Sequence, residues 1–70
     1  MMPLTFADVE KAYEIKKISG SPEVRKHLEN LGFVVGGTVK PVNTVQGNLI
    51  VEVKGVRVAI GKEMASKIMI

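Results

Sequence analysis

Few side chains in this sequence could do chemistry, and the only histidine is the first to consider. Seven acidic residues accompany it, and the absence of cysteine excludes disulfides, thiolate metal sites and a cysteine nucleophile. Glu23 lies four residues before His27, and Asn30 lies three residues after it. A helix would therefore place on one face a histidine and a carboxylate, the ligands that a ferrous ion takes, with Asn30 beside them. One histidine and one flexible acid make a weak site. We therefore predict that His27 flanks an apolar stripe, half covered, and that the chain binds no metal.

The acidic residues and glycines indicate no catalytic centre. None of the acids stands in an arrangement that is typical of a catalytic set. Gly36-Gly37 leads into a predicted strand, whereas a phosphate-binding glycine loop leads into a helix and carries a lysine. We therefore predict a protein that is not an enzyme and that binds no cofactor.

Length and charge predict one small domain, residues 1–70, with a solvated basic surface. The formal net charge is +3, but the ten basic residues are scattered among seven acids, whereas nucleic-acid patches are clustered. Nucleic acid is therefore a disfavoured partner, although a basic barrel that binds it stays open as an alternative.

The longest uncharged run, Pro41–Val51, falls short of the roughly 18 apolar residues that span a membrane. Because the N-terminus also lacks a signal-peptide pattern, we expect a cytoplasmic protein with no membrane insertion.

The stretch Leu28–Val39 predicts a corner between a helix and a strand. Glycine ends helices because positive φ costs it little, which places Gly32 at C′. Leu28 is then at C3, and Phe33 at C″ packs against it and donates its N–H to the Leu28 carbonyl. Gly36-Gly37 lets the chain reverse before the strand. The residues assigned to this framework, with one glycine from a later hairpin, are Leu28, Leu31, Gly32, Phe33, Gly36 and Gly55.

Before the corner, the pattern predicts a helical turn, a strand and a helix. The turn covers residues 4–9 with Thr5 as N-cap, and its apolar residues Leu4, Phe6 and Val9 are expected under the domain. A strand from Tyr13 should bend or bulge at Ile18, where the alternation of apolar and polar residues breaks. The helix should begin at Ser21-Pro22, a typical N-cap and N1 pair, and carry an apolar stripe of Val24, Leu28 and Leu31.

After the corner, the pattern predicts three strands, one helical turn and a terminal strand. Pro41 should lie on an edge or at an irregularity because it cannot donate to a ladder. Lys54-Gly55 suits a two-residue hairpin turn. Five short strands with one inserted helix predict a mainly β fold, a small SH3-like barrel, with an OB-like barrel as the second choice.

These motifs together resemble the FeoA family of small SH3-like barrel proteins in bacterial and archaeal ferrous iron uptake. The resemblance covers nearly the whole chain and is carried by Leu28-x-x-Leu31-Gly32-Phe33-x-x-Gly36-x-x-Val39, Val56-x-Val58-x-Ile60 and Glu63-x-Ala65-x-x-Ile68. It implies a non-enzymatic cytosolic protein that regulates or assists FeoB, the membrane transporter with a GTP-binding N-terminal region. The same module also occurs in some iron-dependent repressors.

Two segments depart from the family pattern. Many members carry Pro-Gly where this chain has Val9-Glu10, and a longer loop with Gly-Asp-Pro where it has Val45–Leu49. If that loop touches the partner, the contact is altered here. A regulator-type domain with another protein partner is therefore a second alternative.

The predicted contact surface is the helix and the corner. Val34 and Val35 follow Phe33 in a glycine-bounded loop and cannot both point inward, so either one of them is incidental or the pair extends an apolar patch. Too few aromatic residues are present for proline-rich peptides or for stacking single-stranded nucleic acid. Self-association is also open, through edges at Pro41 and at Ile68–Ile70. The residues predicted to contact a protein partner are Arg25, Lys26, Leu28, Val34, Val35 and, with less weight, Arg57.

Overall fold

Six short antiparallel strands in two sheets form the framework of the protein, as seen in a computed structural model that describes all 70 residues, Met1–Ile70. One sheet has the order β1-β3-β4-β5, and the other pairs β2 with β6. The predicted mainly β architecture with an inserted helix is therefore present. After a 3₁₀ turn at Leu4–Phe6, the elements are β1 (Tyr13–Glu14), β2 (Lys17–Ile18), α1 (Pro22–Asn30), β3 (Thr38–Val45), β4 (Asn48–Val53), β5 (Val56–Gly61), α2 (Lys62–Ala65) and β6 (Ile68–Met69).

The start of α1 follows from its first residues. The Ser21 hydroxyl accepts a hydrogen bond from the Val24 N–H at 3.3 Å, which satisfies one of the unpaired donors of the first turn. Pro22 occupies the first helical position, where its missing N–H costs nothing. Glu23 adds a negative charge where the helix dipole favours one. The predicted N-cap is confirmed.

The end of α1 is the predicted Schellman motif. Gly32 has φ of 108° and donates its N–H to the Glu29 carbonyl at 2.9 Å. Phe33 donates its N–H to the Leu28 carbonyl at 2.9 Å, and the side chains of both residues are fully buried. One apolar residue before the glycine and one after it are thus anchored in the core at the same point.

A single cluster of apolar side chains forms the core. It draws on both sheets, the corner after α1 and the short helix α2, so that each element covers part of one interior. The short helix α2 contributes Ala65, which is fully buried. The cluster consists of Leu4, Ile15, Leu28, Phe33, Val39, Val51, Val53, Ile60, Ala65, Ile68 and Ile70.

The predicted first strand is in fact two strands that belong to different sheets. Tyr13 pairs with Val39 in the four-stranded sheet, whereas Lys17 pairs with Met69 in the other. The buried Ile15 lies between the two strands, and the chain changes sheet there. The bend is therefore at Ile15 and not at Ile18, the position predicted from the sequence. The predicted count of five strands becomes six for this reason.

The N-terminal segment corrects two predictions. The 3₁₀ turn begins after Pro3 and has no side-chain cap, so Thr5 is not an N-cap. Leu4 is buried as predicted, but Phe6 is 72% exposed and Val9 is 53% exposed. The short turn has only one side that faces the core, and Leu4 occupies it.

Glu10 and Lys54 are non-glycine residues with positive φ. Glu10, in one of the two segments that depart from the resembled pattern, has φ of 66°, the left-handed conformation that glycine adopts at least cost. The β4–β5 hairpin turns through Lys54 and Gly55 with φ of 52° and 77°, the positive pair of a type I′ turn. The predicted hairpin is confirmed.

The strand edges predicted for self-association are covered. β3 lies between β1 and β4, the Pro41 carbonyl accepts a hydrogen bond from the Glu10 N–H at 2.7 Å, and a register shift follows Pro41. Met69 of β6 forms a β-bridge with Pro3, and Ile70 exchanges two backbone hydrogen bonds with Met2, so β6 is paired on both sides. The two edges were therefore wrongly predicted to be open, and the end strands of the four-stranded sheet are β1 and β5.

Candidate protein-binding groove

An open groove of about 470 Å³ lies between β2, α1 and the loop that follows the corner. Its residues are half apolar and half charged, and they come from three separate parts of the chain. Phe33 lies at its base but is fully buried. The lining residues are Lys16, Lys17, Ile18, Arg25, Glu29, Phe33, Val34 and Val35.

A hydrogen-bonded turn holds the two valines at the groove. The Gly37 N–H donates to the Val34 carbonyl at 2.9 Å, and Gly36 takes φ of 89° within this turn. The turn is also tied to the bend between β1 and β2. Ile15 donates its N–H to the Gly37 carbonyl and accepts from the Gly36 N–H, both at 2.8 Å. These bonds fix the turn beside β2.

The two valines differ in their environment. Val34 is half-buried, whereas Val35 is 63% exposed at the tip of the turn. Ile18 on β2 is half-buried and belongs to the same groove. A partly exposed apolar strip therefore runs from β2 to the turn, and packing inside this chain does not account for the exposure of Val35.

The charged rim of the groove is mainly positive. Lys16 is bound to Glu14 at 2.9 Å, and both side chains are more than half exposed. Lys17, Arg25 and Glu29 are exposed and take part in no ion pair. Two cations and one carboxylate thus remain unpaired around the apolar strip.

Three of the six predicted contact residues are brought together here, namely Arg25, Val34 and Val35. Lys26 is exposed on α1 but does not line the groove, and Arg57 is exposed on β5, in a different part of the fold. Leu28 was wrongly included, because its side chain is fully buried in the core and cannot reach a partner.

The sequence reasoning missed the β2 side of the groove. Lys16, Lys17 and Ile18 reach it because β2 leaves the four-stranded sheet and pairs with β6. The available signal was the break in alternation at Ile18, which indicated that the chain changes direction there. Glu29 was missed as well, although it lies one turn after Arg25 on the same helix face.

His27 is an exposed residue of α1. The structure brings no three His, Cys, Asp or Glu side chains together in an arrangement that could hold a metal ion. None of the helices has both the length and the apolar character needed to cross a membrane.

Comparison with solved structures defines the class of this domain. A crystal structure of the iron uptake regulatory protein FeoA is 31% identical and superposes with a TM-score of 0.89, over 97% of this chain and 90% of that one. Stenotrophomonas maltophilia FeoA complexed with zinc, described as a prokaryotic SH3 domain protein, is 21% identical with a TM-score of 0.83, over 99% and 88%. The fold is therefore the predicted SH3-like barrel.

The family follows from the sequence. The FeoA domain model matches residues 2–70, and the chain belongs to the FeoA domain family. A Methanocaldococcus jannaschii protein named "Putative Fe(2+) transport protein A" is 33% identical over 70 residues, which is all of this chain and 85% of the relative. The resemblance seen in the sequence motifs is confirmed.

Proposed function

We propose that this protein is a non-enzymatic accessory protein of ferrous iron uptake that acts in the cytoplasm by binding the cytosolic part of a FeoB-type transporter. Membership of the FeoA family and the name of the M. jannaschii relative support the link to ferrous iron transport. The observation that carries the binding role is the groove, where the exposed Val35 lies beside exposed charged side chains.

The groove supports binding of a protein because it combines features of interface surfaces. It offers a small apolar strip with a charged rim, the arrangement that protein–protein contacts share. Its turn is tied by three backbone hydrogen bonds, so little conformational freedom would be lost on binding. Exposed Val35 is the residue that we expect to be buried first by a partner.

The contact is tested by titrating the protein against the cytosolic region of the matching FeoB transporter, with calorimetry or fluorescence anisotropy. Val35→Asp should weaken binding at least about tenfold, equivalent to 1.4 kcal/mol, because it places a charge in the apolar contact. Val56→Asp is the matched control: Val56 is 60% exposed, against 63% for Val35, but lies on β5 outside the groove.

The titrations with the two variants test both the proposed function and the placement of the contact in the groove. Binding that is weakened by Val35→Asp and retained by Val56→Asp supports the proposal, provided that both variants keep the far-ultraviolet circular dichroism spectrum of the parent. Absence of binding at high micromolar concentration contradicts the proposed function. Equal effects of the two variants contradict the placement of the contact in the groove.

Nucleic acid is the alternative that the sequence left open. The exposed cations of the groove do not have an exposed aromatic side chain beside them, since Phe33 at its base is buried. Binding to DNA or RNA that weakens steeply with salt would favour this alternative over the transporter contact.

A further inference from the structure

The groove carries enough charge to specify what kind of partner segment it takes. Lys17 on β2 and Arg25 on α1 are exposed and have no ion-pair partner in the protein. Lys16 is held by Glu14, and Glu29 is the only carboxylate that lines the groove. The rim therefore has a positive excess that is not neutralised from within.

The apolar part of the groove is small. Ile18 and Val34 are half-buried, and Val35 is exposed. A partner can cover this strip with one or two aliphatic side chains, while its flanking residues meet the cations. Complementary charge then sets orientation and increases the rate of encounter.

We infer that the groove binds an acidic segment of the partner protein, with an aliphatic residue seated on Ile18, Val34 and Val35 and carboxylates on Lys17 and Arg25. A second copy of this chain fits poorly, because two-fold pairing of the groove would place its unpaired cations against one another. The inference rests on the proposed contact with the transporter but adds the chemistry of the bound segment.

The direct test uses a defined probe and ¹⁵N-labelled protein. The probe is a short peptide with a central pair of leucines flanked on both sides by aspartate and glutamate, and its control replaces these acids by asparagine and glutamine. The acidic peptide should shift the amide resonances of Lys17, Arg25 and Val35 at low salt, and the shifts should diminish as salt is added. The amide peptide should bind at least about tenfold more weakly, since it lacks both charge pairs.

A charge-reversal variant of the protein gives a second test of the acidic-segment inference. Lys17→Glu with Arg25→Glu should weaken binding of the acidic peptide and of the FeoB cytosolic region by at least about tenfold. Lys11→Glu with Lys62→Glu is the matched control, because both lysines are exposed, lie outside the groove and change the net charge equally. This control should leave both affinities within about twofold of the parent.

Failure of the inference and failure of the proposed function are distinguishable. If FeoB binds with an affinity that the reversal leaves unchanged, the acidic-segment inference is overturned and the proposed function stands. If the acidic peptide binds in the groove and FeoB does not bind, the inference holds and the proposed partner is wrong. If the peptides bind equally, or neither binds, the inference is overturned. Groove-dependent binding to phosphatidylglycerol vesicles, with no binding of the acidic peptide, would overturn it in favour of a membrane surface.

Discussion

Gly32→Ala is the substitution that tests the corner after α1 most sharply. Gly32 has φ of 108°, a conformation that L side chains rarely adopt. A Cβ placed there would meet the Val53 methyl groups at 3.6 Å, which is ordinary van der Waals contact. The cost of the substitution is therefore conformational and not steric. We expect a loss of about 1–2 kcal/mol in the free energy of unfolding.

The loss is measured by urea unfolding followed by circular dichroism at 222 nm, with thermal melts beside it. A domain of this size has a stability of only a few kcal/mol, so the variant should remain mostly folded but melt earlier. Each kcal/mol corresponds to a decrease of roughly 4–8 °C in the melting temperature for a domain of this length.

Two further variants isolate the cause. Gly61→Ala is the matched control, because Gly61 has φ of −71° and a Cβ there comes no closer than 3.8 Å to another group, so its effect should be smaller. Gly32→Asn should be less destabilising than Gly32→Ala although asparagine is larger, since asparagine tolerates positive φ better than alanine. If Gly32→Ala matches the parent, or if asparagine is worse than alanine, the conformational argument is refuted.

Three other substitutions have outcomes that the structure determines. Leu28→Ala should cost about 2–5 kcal/mol because it leaves a cavity at a fully buried site, and a folded variant with the parent's urea midpoint would show that Leu28 is not core. Ser21→Ala should cost about 0.5–2 kcal/mol in the same assay because the Val24 N–H loses its acceptor, and an unchanged midpoint would contradict the cap. Lys54→Asn should stabilise the hairpin by up to about 1 kcal/mol, because Asn-Gly suits a turn that now forces Lys54 to φ of 52°; a lower melting temperature would contradict this.

The helix and its two ends could be predicted because their signals are local. Ser21-Pro22 at the start and Gly32 at the end determine backbone conformation within a few residues, and the structure agrees with both. The Lys54-Gly55 hairpin was predictable for the same reason. In each case the residue type limits φ or supplies a hydrogen bond without help from distant parts of the chain.

The parts that failed depend on contacts between distant residues. Phe6 and Val9 were placed inside because they are apolar, but only a short turn was available there and Leu4 alone faces the core. The division into β1 and β2 depends on pairing of Lys17 with Met69, which lies at the far end of the sequence. A pattern read over a few residues contains no information about such a partner.

The candidate site was predictable on one side only. Arg25, Val34 and Val35 were chosen from the helix and its corner, and the groove contains all three. Lys17 and Ile18 complete it through the same long-range pairing that divides the first strand. Local signals therefore located the corner, whereas the opposite wall required the fold.

The central claim is that the groove binds the cytosolic region of a FeoB-type transporter. The measurement that tests it most directly is a titration of ¹⁵N-labelled protein with that region, followed by amide chemical shift changes in two-dimensional NMR spectra. The account predicts that shifts or line broadening concentrate at Lys17, Arg25 and Val35. Unchanged spectra, or changes confined to β5 around Arg57, would contradict it.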